Sequence, residues 1–124
     1  MEIAEELENL VRREIDRLHI PPTLRGHRYL VYIVSQIAAD PRRLEGITKD
    51  LYRETARRFR TNWKAVERSS RTAIAHCWES DAGQERLCKL AGYQLTERPS
   101  ISVLAAIIAQ HINEENKSTS STKK

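Results

Sequence analysis

Four polar side chains, Lys64, Glu67, Arg68 and Arg71, recur at intervals of three and four residues along one stretch of the sequence. Because residues three and four apart are neighbours on an α-helix, this spacing predicts that all four lie on one helical face. Arginine forms bidentate hydrogen bonds with guanine edges and with phosphates, a geometry that lysine does not share. The pattern therefore indicates a surface that contacts nucleic acid.

The elements that must position this face are two predicted helices, within residues 47–78, joined by a tight turn at residues 60–62. The first helix has one stripe of apolar or small residues at four-residue spacing: Ile47, Leu51, Thr55 and Phe59. Thr61 or Asn62 is suited to cap the second helix. The face opposite the polar residues is predicted to be buried, and it contains Val66, Ser70, Ala73, Ile74 and Cys77.

A helix-turn-helix unit has this arrangement, with a bracing first helix and a second helix that enters the major groove of DNA. Ala56 is small enough for the two helices to approach closely, and Val66 is the expected apolar anchor of the second helix. An ordinary helical hairpin with a solvated charged face is the alternative. Charge favours the first interpretation: residues 42–71 contain ten Lys or Arg against four acids, a net of +6, whereas the whole chain is +4. Localised basic charge is typical of phosphate binding.

Several motifs in order carry a resemblance to a known family. They are GITKDLYRETARRF and VER in the hairpin, AIAHCW ending at Trp78, IPPTLRGHRYL upstream and LAGYQL downstream. Together, over residues 10–112, they resemble the DNA-binding effector domain of the sporulation response regulator family (stage-zero sporulation protein A). The family's effector domain follows a receiver domain, which this sequence lacks, so the chain is either an excised effector domain or a stand-alone relative.

The resemblance implies that Glu67 and Arg68 read bases, the carboxylate accepting from cytosine N4 and the guanidinium donating to guanine O6 and N7. Arg71 matches a family arginine, and Lys64 joins the expected base contacts. The expected contacts to the DNA backbone come from the turn and the two helices: Lys49, Arg58, Arg60, Thr61, Asn62 and Trp63. Two departures, Ala65 where the family has arginine and Thr72 where it has histidine, favour a different target sequence, since one lost contact costs about 1–3 kcal/mol of discrimination.

The predicted fold class is all-α, with about six helices containing a helix-turn-helix at about residues 47–79. We expect one helical DNA-binding domain over residues 1–115 and a disordered polar tail over residues 116–124, which is rich in Ser, Thr and Lys. The other predicted helices span residues 2–18, 25–39, 81–90 and 101–113, and a basic connector over residues 42–46 leads into the hairpin. Asp81 and Ser100 are the expected caps of the last two helices, and Gly92 is expected to end the first of these two in a left-handed conformation. The last has so broad an apolar arc that it belongs either to the core or to an interface.

The sequence contains no Walker, GxGxxG, HExxH or GxSxG motif and no histidine pair at metal-binding spacing, so we expect neither an enzyme nor a metal or cofactor site. No stretch approaches the roughly 20 apolar residues that span a membrane.

The expected partners are double-stranded DNA, RNA polymerase subunits and a second copy, as a dimer on tandem DNA sites through the last helix. The expected location is the bacterial cytoplasm, at the nucleoid. The alternative function is a protein-interaction module that keeps the fold with weakened DNA reading.

Overall fold

The computed structural model describes the backbone of residues 2–122 and the side chains of residues 5–115. It contains six α-helices: α1 (Glu2–Arg17), α2 (Arg25–Ala39), α3 (Tyr52–Arg58), α4 (Trp63–Glu79), α5 (Asp81–Ala91) and α6 (Ile101–Thr122). A 3₁₀ helix (Pro41–Gly46) and a π-helical turn (Ile47–Leu51) connect α2 to α3. Over residues 2–122 there is no β-strand, and the predicted all-α class with six helices is confirmed.

The central helix is α2, which packs against α1, α4 and α6. Apolar residues recur along it at spacings of three and four, and Leu30, Ile33 and Val34 are fully buried. Burial on more than one side of a helix requires such a wide apolar arc. Since α4 packs directly on α2, the central helix sets the position of α4, which is the helix predicted to enter the major groove of DNA.

The segment between α2 and α3 differs from the prediction of a basic connector followed by one continuous bracing helix. The Asp40 carboxylate accepts a hydrogen bond from the Arg42 N–H at 3.2 Å and caps the 3₁₀ helix, which begins at Pro41. The Tyr52 N–H then donates to the Ile47 carbonyl, an i to i+5 bond that defines the π turn. Ile47, Leu51 and Thr55 are nevertheless buried as predicted. A four-residue spacing buries one stripe in either kind of helix, so the apolar period did not distinguish them.

The turn between α3 and α4 agrees with the sequence prediction. Asn62 caps α4, because its side-chain oxygen accepts from the Ala65 N–H at 2.9 Å. Arg60 takes a left-handed backbone conformation, with φ of +55°. Ala56 and Val66, the predicted close-approach and anchor residues, are both buried, and α3 packs on α4.

The last two helices also begin at capping residues. Ser80, rather than the predicted Asp81, caps α5 by accepting from the Gly83 N–H at 3.1 Å. Gly92 ends α5 in the left-handed conformation, with φ of +84°. Ser100 caps α6 as predicted, since its hydroxyl accepts from the Val103 N–H at 3.1 Å.

The broad apolar arc of α6 belongs mainly to the core. Ile101, Leu104, Ile108 and Ile112 are buried, and the helix packs against α1, α2, α4 and α5. The helical backbone continues to Thr122, past the predicted end at residue 113 and into the segment predicted to be a disordered tail. Once a helix is nucleated on a core, each further residue adds a hydrogen bond, so polar composition alone does not end it. Lys123 and Lys124 lie outside the described residues.

Candidate nucleic-acid interface

The rotation of α4 about its axis is fixed by its buried stripe. The buried residues are Val66, Ser70, Ala73, Ile74 and Cys77, the same five that the helical period predicts. Burial raises the pKa of the Cys77 thiol to about 11, so this side chain is neutral at physiological pH and packs as an apolar group. With this stripe turned inward, the opposite face of α4 must point to solvent.

That outward face forms one wall of an open groove of about 630 Å³. All four predicted base-contact residues, Lys64, Glu67, Arg68 and Arg71, line this groove, which we call the α4 groove. Its other lining residues are Trp63, Thr72, Ala75, His76, Glu79 and Arg98. The structure therefore brings the four predicted side chains together on one accessible surface.

Two of the four are already paired with each other. Arg71 Nη2 lies 3.2 Å from Glu67 Oε2, an ion pair between neighbouring turns of α4. The Glu67 side chain is 28% exposed and that of Arg71 is 65% exposed. Arg68, by contrast, is exposed and has no ion-pair partner among the described residues. Its five N–H donors are consequently available to a ligand in the groove.

Tyr52 of α3 lies close enough to Glu67 and Arg71 for both charges to affect its pKa. Burial, together with the nearby Glu67 carboxylate, raises the pKa of Tyr52 to about 12, against a smaller opposing effect of Arg71. The phenol therefore stays protonated at neutral pH and is a neutral, buried group. Sequence reasoning did not assign Tyr52 a role, because its place beside Glu67 depends on how α3 crosses α4.

The predicted backbone-contact residues do not all lie together. Trp63 lies in the α4 groove, and Arg60, Thr61 and Asn62 form the turn that leads into α4. Lys49 is exposed on the π turn. Arg58 is separate: its guanidinium lies 5.0 Å from the ring centre of Tyr32, in another groove that Arg12 and Arg28 also line. The structure does not bring Arg58 to the α4 groove.

Part of the basic charge of residues 42–71 is paired with acidic side chains of the same chain. Arg43 donates to both carboxylate oxygens of Glu54, at 2.7 and 3.2 Å, and to Gln36 Oε1 at 2.7 Å. Tyr32 also donates to Glu54, and these partners, Arg43 first, lower the pKa of the Glu54 carboxyl. Arg42 pairs with Asp40 at 3.0 Å. Arg42 and Arg43 therefore brace the connection between α2 and α3.

Two arginines at or near the α4 groove were not among the predicted contacts. Arg98, in the loop between α5 and α6, lines the α4 groove. That loop is held in part by the Leu95 N–H, which donates to Cys88 Sγ at 3.4 Å. Arg53 of α3 lies with its guanidinium carbon 5.9 Å from the ring centre of Trp63. Local spacing predicts neighbours within one helix, so it gave no signal for either contact.

Within residues 5–115, no three His, Cys, Asp or Glu side chains come together in a group that could hold a metal ion. In the described part of the chain, no helix combines the length and apolar character needed to cross a membrane.

The chain also matches a known protein family. The family model described as "Sporulation initiation factor Spo0A C terminal" matches residues 11–112, from the second half of α1 to α6. The matched segment contains the whole α4 groove.

Proposed function

This chain belongs to the family of Spo0A C-terminal domains, which are DNA-binding effector domains, and from this membership we propose that it binds double-stranded DNA sequence-specifically and regulates transcription. The observation that supports sequence-specific reading is the α4 groove. Four side chains with base-reading chemistry line one accessible face of a single helix. We place the activity in the bacterial cytoplasm, at the nucleoid.

In this proposal α3 and α4 act as a helix-turn-helix, with α4 lying in the major groove of the duplex. An α-helix fits that groove, where each base pair shows a distinct set of donors and acceptors. Arg68 donates to guanine O6 and N7, because its guanidinium is exposed and has no carboxylate partner among residues 5–115. Lys64, one turn before Arg68, contacts either a guanine edge or a phosphate.

Glu67 and Arg71 act as a pair. Their ion pair keeps both side chains in the α4 groove before DNA binds, and this lowers the entropic cost of ordering them on binding. On binding, the free lone pairs of Glu67 accept from cytosine N4, and Arg71 directs its remaining donors to the next base or phosphate. The two charged side chains would thus read adjacent positions as one unit.

The proposal is tested by selecting duplexes from a random library and measuring Arg68→Ala on the selected and on random DNA. Loss of a bidentate contact should weaken binding to the selected duplex by about 1–3 kcal/mol and relax preference at one position. The matched control is Arg13→Ala, an exposed arginine on α1 outside the α4 groove, which should leave both affinities near those of the parent. Equal losses on selected and random DNA would show that Arg68 contacts only phosphate. Failure of the parent to enrich any duplex would favour the alternative of a protein-interaction module.

Two finer proposals concern partners. We propose that two copies bind tandem sites and touch through the exposed edge of α6, where Val103 is 40% exposed. Tyr93, 57% exposed, lines the same shallow groove as Val103 and extends this apolar edge. RNA polymerase subunits stay predicted partners, to be tested by binding measurements with the assembled DNA complex.

A further inference from the structure

Two basic side chains from different helices converge on the indole of Trp63. The Arg53 guanidinium carbon, on α3, and the Lys64 ammonium nitrogen, on α4, each lie 5.9 Å from the ring centre of Trp63. Cations within about 6 Å of an aromatic ring centre are attracted by the electron-rich face of the ring. We call these three residues the Trp63 cluster.

The position of the Trp63 indole ring is fixed by the fold. Trp63 is the first residue of α4, whose start is fixed by the Asn62 cap, and its ring packs partly against the hydrophobic core. Arg53 and Lys64 are exposed. The long, flexible side chains are thus held near one place by a ring that is itself anchored.

Neither cation has an acidic partner in the described structure. Unlike Arg43 and Arg71, which form ion pairs with glutamates, Arg53 and Lys64 have no ion pair among the described residues. Both positive charges lie near one ring, which concentrates positive potential at the start of α4. An anion with several acceptor oxygens could accept hydrogen bonds from both side chains.

We propose that the Trp63 cluster is a phosphate clamp for the DNA backbone, in which Arg53 and Lys64 contact phosphodiester oxygens and Trp63 is the positioning residue. This inference rests on the proposed function. Trp63 and Lys64 line the α4 groove, so the clamp is continuous with the face that reads bases. Arg53 adds a contact from the bracing helix at that end, and its contact would fix the register of α4 on the duplex.

The test compares Trp63→Phe with Trp63→Leu, since both keep an apolar side chain but only Phe keeps an aromatic face. With the full chain and a selected duplex, Trp63→Leu should raise Kd about two- to fivefold for each cation released, and Trp63→Phe should retain most of the affinity. Arg53→Ala should reduce the log–log salt slope by about 0.9, the value for one phosphate contact. Arg13→Ala is the control with unchanged slope.

Coupling between the residues separates positioning from packing. If Trp63 acts through Arg53, then Arg53→Ala should cost less in the Trp63→Leu background than in the parent. Additive losses, or a Trp63→Leu variant that binds like the parent, would overturn the clamp while leaving DNA binding intact. Equal losses for Phe and Leu would also overturn it, because they would indicate packing alone. A parent that binds no duplex would instead overturn the proposed function.

Discussion

At the scale of single residues, Arg60, in the turn before α4, combines an unfavourable backbone conformation with a predicted phosphate contact. Its φ of +55° is in the left-handed region, which costs a residue with a Cβ about 1–2 kcal/mol. Many helix-turn-helix sequences have glycine in the turn, and the sequence shows arginine in its place. An arginine in a conformation that favours glycine suggests that its positive charge has a function. We predict that Arg60 contacts a DNA phosphate.

Arg60→Gly should therefore separate stability from function. Removing the Cβ relieves the backbone strain, and after the entropy cost of glycine we expect the free energy of unfolding to rise by about 0.5–1 kcal/mol. Loss of the charge should weaken binding to all duplexes alike and reduce the salt slope. Chemical denaturation and salt-dependent binding measure the two effects. The control is Arg57→Gly in α3, which should lower stability by about 0.5–1 kcal/mol. An Arg60→Gly variant that is less stable than the parent would show that the left-handed backbone of Arg60 is not strained.

Glu54 provides a pH-dependent prediction. Arg43 and Tyr32 lower its pKa in the folded state below the ordinary value of 4.5. A lowered folded-state pKa means that the contribution to stability is present above pH 4.5 and is lost as the pH falls through the folded-state pKa. Glu54→Gln should therefore be less stable than the parent at pH 7, by about 1 kcal/mol after discounting for solvent screening, and the difference should shrink below pH 4.5.

The matched control for this prediction is Glu8→Gln. Glu8 pairs with Arg12 at 3.1 Å within α1, and both side chains are well exposed, so the variant should differ little from the parent at any pH. Urea denaturation across the pH range measures both variants. A Glu54→Gln difference that stays constant from pH 7 to acid would show that the Glu54 carboxylate charge does not stabilise the fold.

At the scale of helices and turns, α4 is held by a close crossing with α2. Gly26 of α2 is buried against α4, and a Cβ built on it would lie 2.1 Å from the Ser69 carbonyl oxygen. Backbone atoms cannot yield as a flexible side chain can. The orientation of α4 therefore depends on a residue of α2 that lies outside the hairpin of α3 and α4.

Gly26→Ala should push α2 and α4 apart. We expect the free energy of unfolding to fall by about 1–3 kcal/mol, as in overpacked cores, and DNA affinity to fall although no basic residue is changed. The control is Gly46→Ala, where the nearest atom, at 2.7 Å, is the tip of the exposed Asp50 side chain, which can rotate away. Thermal unfolding and duplex binding measure both variants. Parent-like stability of Gly26→Ala would mean that the helices do not cross so closely.

The sequence could predict features that depend on residues close together in the chain, but not features that depend on how distant segments pack. The buried stripe of α4, the Asn62 and Ser100 caps and the left-handed Gly92 follow from neighbours within a few residues, and they were predicted. The placement of Arg98 in the α4 groove and of Arg53 over Trp63 depends on how distant segments pack, and these contacts were missed. The internal use of Arg43 was missed for the same reason, because its partner Glu54 is eleven residues away.

At the scale of the whole molecule, the net charge is unevenly distributed. Residues 2–18, which contain α1, have six acids against three arginines, whereas residues 42–71 carry a net of +6. Such asymmetry orients a protein as it approaches a polyanion, so that the basic side arrives first.

The exposed apolar edge of α6 is too small for a permanent dimer. Stable interfaces bury about 1,200–2,000 Å² in total, whereas Tyr93 and Val103 are the large apolar side chains that residues 5–115 leave exposed. We therefore expect a monomer in free solution. On a duplex with two adjacent sites, the DNA holds the copies at high effective concentration, and a weak contact is then sufficient.

Val103→Glu tests this assembly. The residue is 40% exposed, so the variant should fold and bind a single site like the parent, while losing cooperative binding to a two-site duplex. Sedimentation with one-site and two-site duplexes measures both properties. The contrasting control is Ile108→Glu: Ile108 is fully buried, and an unpaired carboxylate there should unfold the chain because burying a charge is so costly. If Val103→Glu pairs on the two-site duplex as well as the parent does, the contact between copies does not involve the exposed edge of α6.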